Sequence, residues 1–580
     1  MKPVLVKDAD LLSVQEARAL VARAREAWNT LGHFSQDQID RIVAAVAQAA
    51  SDASMDLAKL AVEETGYGVV EHKFVKNKFA AVDVYRFIKD MKTVGVIREV
   101  PEKKLYEIAE PVGVIAAVIP STNPTSTAIY KVLISLKARN TIVLSPHPAA
   151  KKCICAAADV MRRAALAAGA PEGAIECMEH VSIEGTQELM RHRATSVILA
   201  TGGMGLVRAA YSSGKPAFGV GPGNVPAYIE STADVVKAVG DVLTGKSYDN
   251  GTLCCSEQAL VCDESISGQV REQVTKQGGA FLTVEQMRAL EKVAITPSRL
   301  ANPEIVGKAA TYIAQKAGFT VPPGTRVLVA ELEGVGRDYP LSIEKLSPIL
   351  AFYVVKDWRQ ACERCKEILR YGGMGHTLSI HSQNRDVIME FALQKPAFRI
   401  IVNSPATHGA VGFSTGLDPA MTLGCGAYGG NITSDNITPL HLINIKRLAF
   451  EVRPVDVKAA VAEYSAPGRA LSPGPAPPVV ASVVPSIEER VERFLFGRGL
   501  GAGGDAGHPH LAASSTNVPN AQSERAEPKP PSPTRPLDFV SEEDVRRALE
   551  DGRKLPIGPA TILTPSAREL GNENSVFIRV

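Results

Sequence analysis

VGVIAAVIP at residues 112–120 and NTIVLSP at residues 140–146 decide the fold class. Both are short, almost wholly apolar runs that end in Pro or Ser. Runs of this length, rich in β-branched residues and without alternation, read as strands buried on both faces. AAKKCICAAADVMRRAALAA at 149–168 follows with apolar residues at helical spacing. SVILAT (196–201), VPAYIE (225–230), QALVCD (258–263), ILAFYVV (349–355), HTLSIHS (376–382) and FRIIVNS (398–404) continue the alternation. Strand and helix in turn over this length predict an α/β protein with parallel strands and covered sheet faces. Upstream, the chain reads as helical. Ser13 with Glu16 predicts one capped helix start and Ser35 with Gln38 a second.

The 580 residues exceed what one core serves, so two or more domains are expected. Apolar residues make up 45% of the chain, enough for large cores. The 64 basic and 62 acidic residues leave a net charge of +2. That balance excludes a nucleic-acid partner, which calls for a basic excess or stripe. No apolar run is long enough to span a membrane. The N-terminal MKPVLVKDADLLSVQEARAL lacks the apolar core and cleavage site of a secretory signal. Nine cysteines in so long a chain are no disulfide scaffold, and the odd number suits reduced thiols and a cytoplasmic location.

Composition breaks near residue 465. SAPGRALSPGPAPPVVASVVP is a Pro-rich linker over 454–485 with its approach. SIEERVERFLFGRGLG opens a short amphipathic helix over 486–499: Ser486 with Glu489 forms a capping box, and Ile487, Val491, Phe494 and Leu495 share one face. Residues 500–536 have the composition of a disordered linker. A small C-terminal segment, 537–580, starts a helix at Ser541 with Asp544.

DNGTLCCSEQ at 249–258 carries the chemistry. A thiol acts as its thiolate, which needs a partly exposed site beside N–H groups or positive charge. The DNG turn before Cys254 can present a side chain in that way. The remaining cysteines read as buried and inert, among them the Cys362–Cys365 pair, which lies in the helical pattern DWRQACERCKEIL with no second pair to complete a zinc site. A thiol peptidase would need a histidine base, for which His376 and His381 are the candidates. Among the glycine-rich stretches, ATGGMG (200–205) follows a strand pattern and precedes a helical one, as a phosphate-binding turn does. It lacks the G-x-G-x-x-G spacing, as does GVGPGN (219–224).

These pieces stand in an order that resembles the aldehyde dehydrogenase superfamily over roughly residues 10–453. The likeness is greatest to the CoA-acylating branch, including the aldehyde dehydrogenase half of bifunctional alcohol/aldehyde dehydrogenases and the propionaldehyde dehydrogenases of bacterial microcompartments. It rests on IPSTNPTST, VLSPHPAAKK, ATGGMGLVRAAYSSGKPAFGVGPGNVP, YDNGTLCCSEQ, IEKLSPILA and GCGAYGGN. The resemblance implies Cys254 as nucleophile and Asn123 as oxyanion donor. It implies Ser145, Pro146 and His147 on the adenosine side of a bound NAD, Thr201, Gly202 and Gly203 near its phosphates, and Glu344 on the nicotinamide ribose. No metal is implied. Cys255 falls where the family usually has a small residue.

One departure is informative. Hydrolytic members carry a glutamate base in an E-L-G-G-K motif, and the matching stretch here begins at Gly219. Without a base, water attacks a thioester slowly, whereas a thiol ionises much nearer neutrality. The departure favours coenzyme A as acyl acceptor. The resemblance implies oxidation of a short-chain aldehyde, propionaldehyde or acetaldehyde, through a cysteine thioester. A cytosolic sulfoacetaldehyde dehydrogenase and a hydrolytic aldehyde dehydrogenase are the alternatives, with a non-enzymatic scaffold behind them. It further implies an aldehyde dehydrogenase-like fold with a Rossmann-like nucleotide-binding domain at 1–238, an oligomerisation hairpin near 95–108, a catalytic domain at 239–432, and a return at 433–453 that ends in an oligomerisation strand. A dimer or tetramer is expected. The amphipathic helix resembles an encapsulation peptide, which would bring shell proteins in as partners and place the enzyme in a microcompartment lumen.

Overall fold

The computed structural model describes residues 8–465 except 298, and residues 536–579 except 538, 560, 564–566, 569, 572 and 573. These fall in two compact units, Met1–Glu463 and Tyr464–Val580.

The first unit begins with helices. The first, Ala9–Leu31, is capped by Asp8, whose carboxylate accepts from the N–H groups of Asp10 and Leu11. This corrects the expected cap at Ser13. Ser13 is buried inside the helix, and its hydroxyl donates to the His180 carbonyl at 2.6 Å. Asp8 offers an equally good cap one turn earlier, and Ser13 is used to dock the helix. The Ser35–Gln38 capping box forms as expected and opens Gln36–Asp52.

A hairpin follows, β1 (Gly95–Val100) and β2 (Leu105–Pro111). Then come β3 (Val114–Ile119), β4 (Thr141–Pro146), β5 (Ile175–Cys177), β6 (Thr195–Thr201) and β7 (Ala217–Val220), which make a five-stranded parallel sheet in the order β5-β4-β3-β6-β7. All six residues of β3 are buried, as the unalternating run predicts. Helix Pro124–Lys137 crosses over between β3 and β4 and is buried along its whole length.

A second parallel sheet holds β8 (Val225–Ile229), β9 (Glu257–Asp263), β10 (Gly279–Phe281), β11 (Val327–Glu331), β12 (Ile349–Val355), β13 (Gly375–His381) and β14 (Ala397–Val402), in the order β10-β11-β12-β9-β8-β13-β14. The change of sheet falls between Val220 and Val225, upstream of residue 238, where the sequence reading divides the domains. β15 (Ile443–Ala449) returns to pair antiparallel with β2.

The five-stranded sheet has a switch point at β3: the chain moves to β4 on one side and later to β6 on the other. Ligands of open α/β sheets sit outside the carboxyl ends of strands at such a point. In the second unit, helix Glu542–Glu550 opens on the expected Ser541–Asp544 capping box. Short parallel pairs, Phe539–Val540 with Ile562–Leu563 and Leu555–Ile557 with Phe577–Arg579, pack around Val540, Val545, Leu555 and Val576. The amphipathic stretch 486–499 lies outside the described residues.

Candidate active site

The turn before the paired cysteines runs through three consecutive left-handed residues, Asp249, Asn250 and Gly251, with φ of 48°, 54° and 73°. Such a run is costly for the first two and persists only when its surroundings fix it. The fixing groups are present. The Asp249 carboxylate accepts from Val69 N–H at 2.8 Å, Lys73 Nζ at 3.0 Å, Thr252 Oγ1 at 2.7 Å and Lys76 Nζ. Asn250 Nδ2 donates to the Gly307 carbonyl at 2.9 Å. The turn divides the two cysteines. Cys254 is half-buried and lines a cavity of about 930 Å³. Cys255 is buried, with its thiol toward the Thr407 carbonyl at 3.5 Å.

The structure brings all nine residues named from the sequence to that cavity: Cys254, Asn123, Ser145, Pro146, His147, Thr201, Gly202, Gly203 and Glu344. They arrive from two directions. Asn123 follows β3, the Ser145–His147 segment ends β4, and Thr201–Gly203 ends β6, so these lie at carboxyl ends of the five-stranded sheet. Cys254 precedes β9 and Glu344 precedes β12, at the amino ends of the seven-stranded sheet.

Helix Met204–Tyr211 starts at Gly203 with no side-chain cap, and a Cβ at Gly203 or Gly205 would meet nothing within 4 Å. Its free N–H groups and the buried, unpartnered Thr201 hydroxyl suit a phosphate. Val181, Ile183, Met190, Leu206 and Ala209 add an apolar wall fit for a flat ring. These residues fit a dinucleotide. Glu344 accepts from Gly223 N–H at 2.9 Å, and burial pushes its carboxyl up to about 7.

Gly223 also lies between the Cys254 backbone and a histidine. A Cβ there would lie 2.1 Å from the Cys254 carbonyl oxygen and 3.2 Å from His376 Cδ2. His376 opens β13 and is buried. Its Nδ1 meets Thr377 Oγ1 at 3.0 Å, and its Nε2 is left without a protein hydrogen bond. The Cys255 thiol and burial push the Cys254 thiol up, while His376 pulls it the other way. His381, the other candidate histidine, is on the same strand but approaches Asp241 at 3.7 Å; neither of the two is among the residues lining the cavity. The sequence motif GHTLSIHS could not choose between them.

At Gly219 there is no room for a base. A Cβ would come within 2.9 Å of Val207 Cγ1 and 3.1 Å of Tyr211 Cε2, and the Gly219 N–H donates to the Tyr211 hydroxyl at 3.1 Å. Glu344 is the one carboxylate among the described lining residues.

Residues 5–416 match the model of the aldehyde dehydrogenase family. The chain belongs to that family. It is 45% identical over 442 residues to the bifunctional aldehyde-alcohol dehydrogenase AdhE of Escherichia coli K12, covering 75% of this chain and 50% of that one. The chain therefore spans about half the length of such curated relatives. Among solved structures, an acetylating aldehyde dehydrogenase from Geobacillus thermoglucosidasius superposes with a TM-score of 0.77 at 51% identity, covering 78% of this chain and all of the other. A propionaldehyde dehydrogenase from the Clostridium phytofermentans fucose utilisation bacterial microcompartment gives 0.67 at 29% identity, over 75% of this chain and 97% of that one. Among the described residues no helix is long and apolar enough to cross a membrane.

Proposed function

We propose that this chain is a CoA-acylating aldehyde dehydrogenase that oxidises a short-chain aldehyde, propionaldehyde or acetaldehyde, with NAD. One observation carries the reading: Cys254 and Asn123 share a cavity, and at Gly219, next to its lining residues Val220–Pro222, packing against Val207 and Tyr211 leaves no space for the base that a hydrolytic member would place there. The acetylating relative from Geobacillus supports it.

Cys254 is the nucleophile. With Nδ1–H donating to Thr377, His376 keeps its Nε2 lone pair for the Cys254 proton. The thiolate adds to the aldehyde carbon. The negative oxygen so formed is held by the Asn123 side-chain N–H and the Cys254 backbone N–H. Ser145–His147, Thr201–Gly203 and Glu344 would hold the dinucleotide, which would supply the hydride acceptor needed for the thioester on Cys254. The thiol of CoA, its proton released to solvent, then takes the acyl group, and His376 returns the proton to Cys254.

The microcompartment part of the proposal rests on the Clostridium relative and on the amphipathic pattern at 486–499. In it the tail helix binds shell proteins, and the hairpin β1–β2 with β15 joins subunits into a dimer or tetramer. A panel of aldehydes assayed with and without CoA tests the chemistry. Turnover should require CoA, and acyl-enzyme should accumulate when CoA is withheld. Rapid steady formation of free acid without CoA would overturn it. Fusing residues 480–500 to a fluorescent protein in a cell that makes the shell tests the tail. Punctate signal lost in Phe494→Asp with Leu495→Asp supports targeting, and diffuse signal in both rejects it.

A further inference from the structure

An asparagine can serve an oxyanion only with its NH2 group turned the right way, since the other end of the amide is an acceptor. Asn123 sits at the cap position of helix Pro124–Lys137, where a side-chain oxygen usually accepts from the first turn of the helix. Here that cap bond is absent. The oxygen instead accepts from Lys76 Nζ at 2.6 Å. The NH2 group donates to the Thr252 carbonyl and the Thr122 hydroxyl, both at 3.2 Å. Thr252 is two residues before Cys254, so the donor end faces the nucleophile. A lysine has N–H groups to give and, as an ammonium, nothing to accept with, so it selects this amide orientation over the flipped one.

Lys76 is itself held. It lies in helix Val70–Lys78 and is 4% exposed. It shares the Asp249 carboxylate with Lys73, whose Nζ also donates to the Thr122 carbonyl at 3.1 Å. One buried carboxylate thus ties the left-handed turn that presents Cys254 to the lysine that grips Asn123. With Lys76 protonated, two lysines against one carboxylate leave a positive excess next to the amide.

On the reading of Cys254 and Asn123 proposed above, we infer that Lys76 is a positioning residue of the oxyanion site: it locks the Asn123 amide with NH2 toward the reacting carbon and polarises it toward the developing negative oxygen, with Asp249 and Lys73 as its anchor. Burial pushes Lys76 down to about 7 against the pull of Asp249. Keeping an ammonium there is costly, and an oxyanion forming at Asn123 would reinforce its charge. A buried group perturbed in this way beside a cleft is a functional-site candidate.

The test uses the full-length protein and four forms of it: the parent, Lys76→Met, Asn123→Ala and the double variant. Lys76→Met leaves Lys73 and Asp249 as a one-to-one pair, so no buried charge is stranded. The readouts are the rate of NADH release in the first turnover, the Kd for NAD and the thermal midpoint. Lys76→Met should slow the first turnover on the order of 10²-fold, as a displaced reacting group does, while the Kd for NAD holds. In the Asn123→Ala background the same substitution should cost nothing further, because the residue it positions is gone. Lys76→Gln, which keeps an N–H for Asn123 Oδ1 without the charge, should recover part of the rate, and it carries the same comparison should the Met variant fail to fold. An equal loss from Lys76→Met in both backgrounds, or no loss in the parent, would overturn the inference while leaving the proposed function standing. An Asn123→Ala enzyme as fast as the parent would instead overturn the oxyanion assignment, and this inference with it.

Discussion

Both large sheets are wholly parallel and clothed in helices, yet the cavity meets them at opposite ends. The five-stranded sheet offers the carboxyl ends of β3, β4 and β6, where small residues and free N–H groups gather. The seven-stranded sheet offers the segments that precede β9 and β12, which bring Cys254 and Glu344, with His376 at the start of β13 across Gly223 from the Cys254 backbone. One sheet mainly makes a surface for a ligand and the other brings reactive side chains to it. The division suits the proposed dinucleotide site, which lacks the usual glycine spacing: a phosphate turn at 200–203 need only expose backbone. The exception is Asn123, a chemical group supplied from the ligand-binding side, and it is the residue that needs a clamp from elsewhere.

The largest expected effect tests the seven-stranded side. Cys254→Ala should abolish aldehyde oxidation, and Cys255→Ala should keep most of it, since its thiol is buried away from the cavity. A dead but folded Cys255 variant would shift the nucleophile by one residue. Next comes the exception. Asn123→Ala should cost about 2.7–4 kcal/mol of transition-state stabilisation, a loss of about 10²–10³ in kcat, with the Kd for NAD unmoved; steady-state kinetics and NAD titration read the two apart. Gly219→Glu sharpens the contrast at β7. It should not create CoA-independent acid formation, because Val207 and Tyr211 already fill the space. It should destabilise the fold by about 1–3 kcal/mol through overpacking, seen in denaturant unfolding.

The smallest effect concerns Glu344. Its carboxyl, raised by burial to about 7, is largely neutral below that pH and ionised above it. A carboxylate grips ribose hydroxyls better than the neutral acid does. NAD affinity should therefore rise as pH increases through about 7. Glu344→Gln should weaken binding by about 1.5 kcal/mol and flatten the pH dependence in isothermal titration. The same shift weakens folding in the other direction. With its folded value raised, the carboxyl favours the native state while protonated, and that contribution is lost as pH rises through about 7.

Much of this was legible in the sequence because strand ends carry motifs. VGVIAAVIP and NTIVLSP place β3 and β4, and the residues just after them, Asn123 and Ser145–His147, follow at fixed offsets. The nine residues named from motifs reach one cavity for that reason. What stayed hidden depends on contacts far apart in the chain. Lys73 and Lys76 lie in VEHKFVKNK, where no motif marks them, and only the fold brings them to Asp249. His376 could not be told from His381, because both sit on one buried strand and only the register at Gly223 separates them. Ser13 failed as a cap because a second capping residue, Asp8, lay upstream and local pattern could not rank the two.

Gly223 has a consequence for when the thiol becomes chemically dangerous. It holds the Cys254 carbonyl and the His376 ring at a spacing that no other residue allows. Before β13 is in place the thiol lacks the His376 ring, which in the folded chain counters the upward push of Cys255 and burial on Cys254. His376 is synthesised long after Cys254, and the lysine–aspartate anchor closes only when the helix at 70–78 meets the turn at 249–251. A half-made chain on the ribosome thus has the cysteine without the groups that surround it in the fold. Arming waits for the last strands of the seven-stranded sheet.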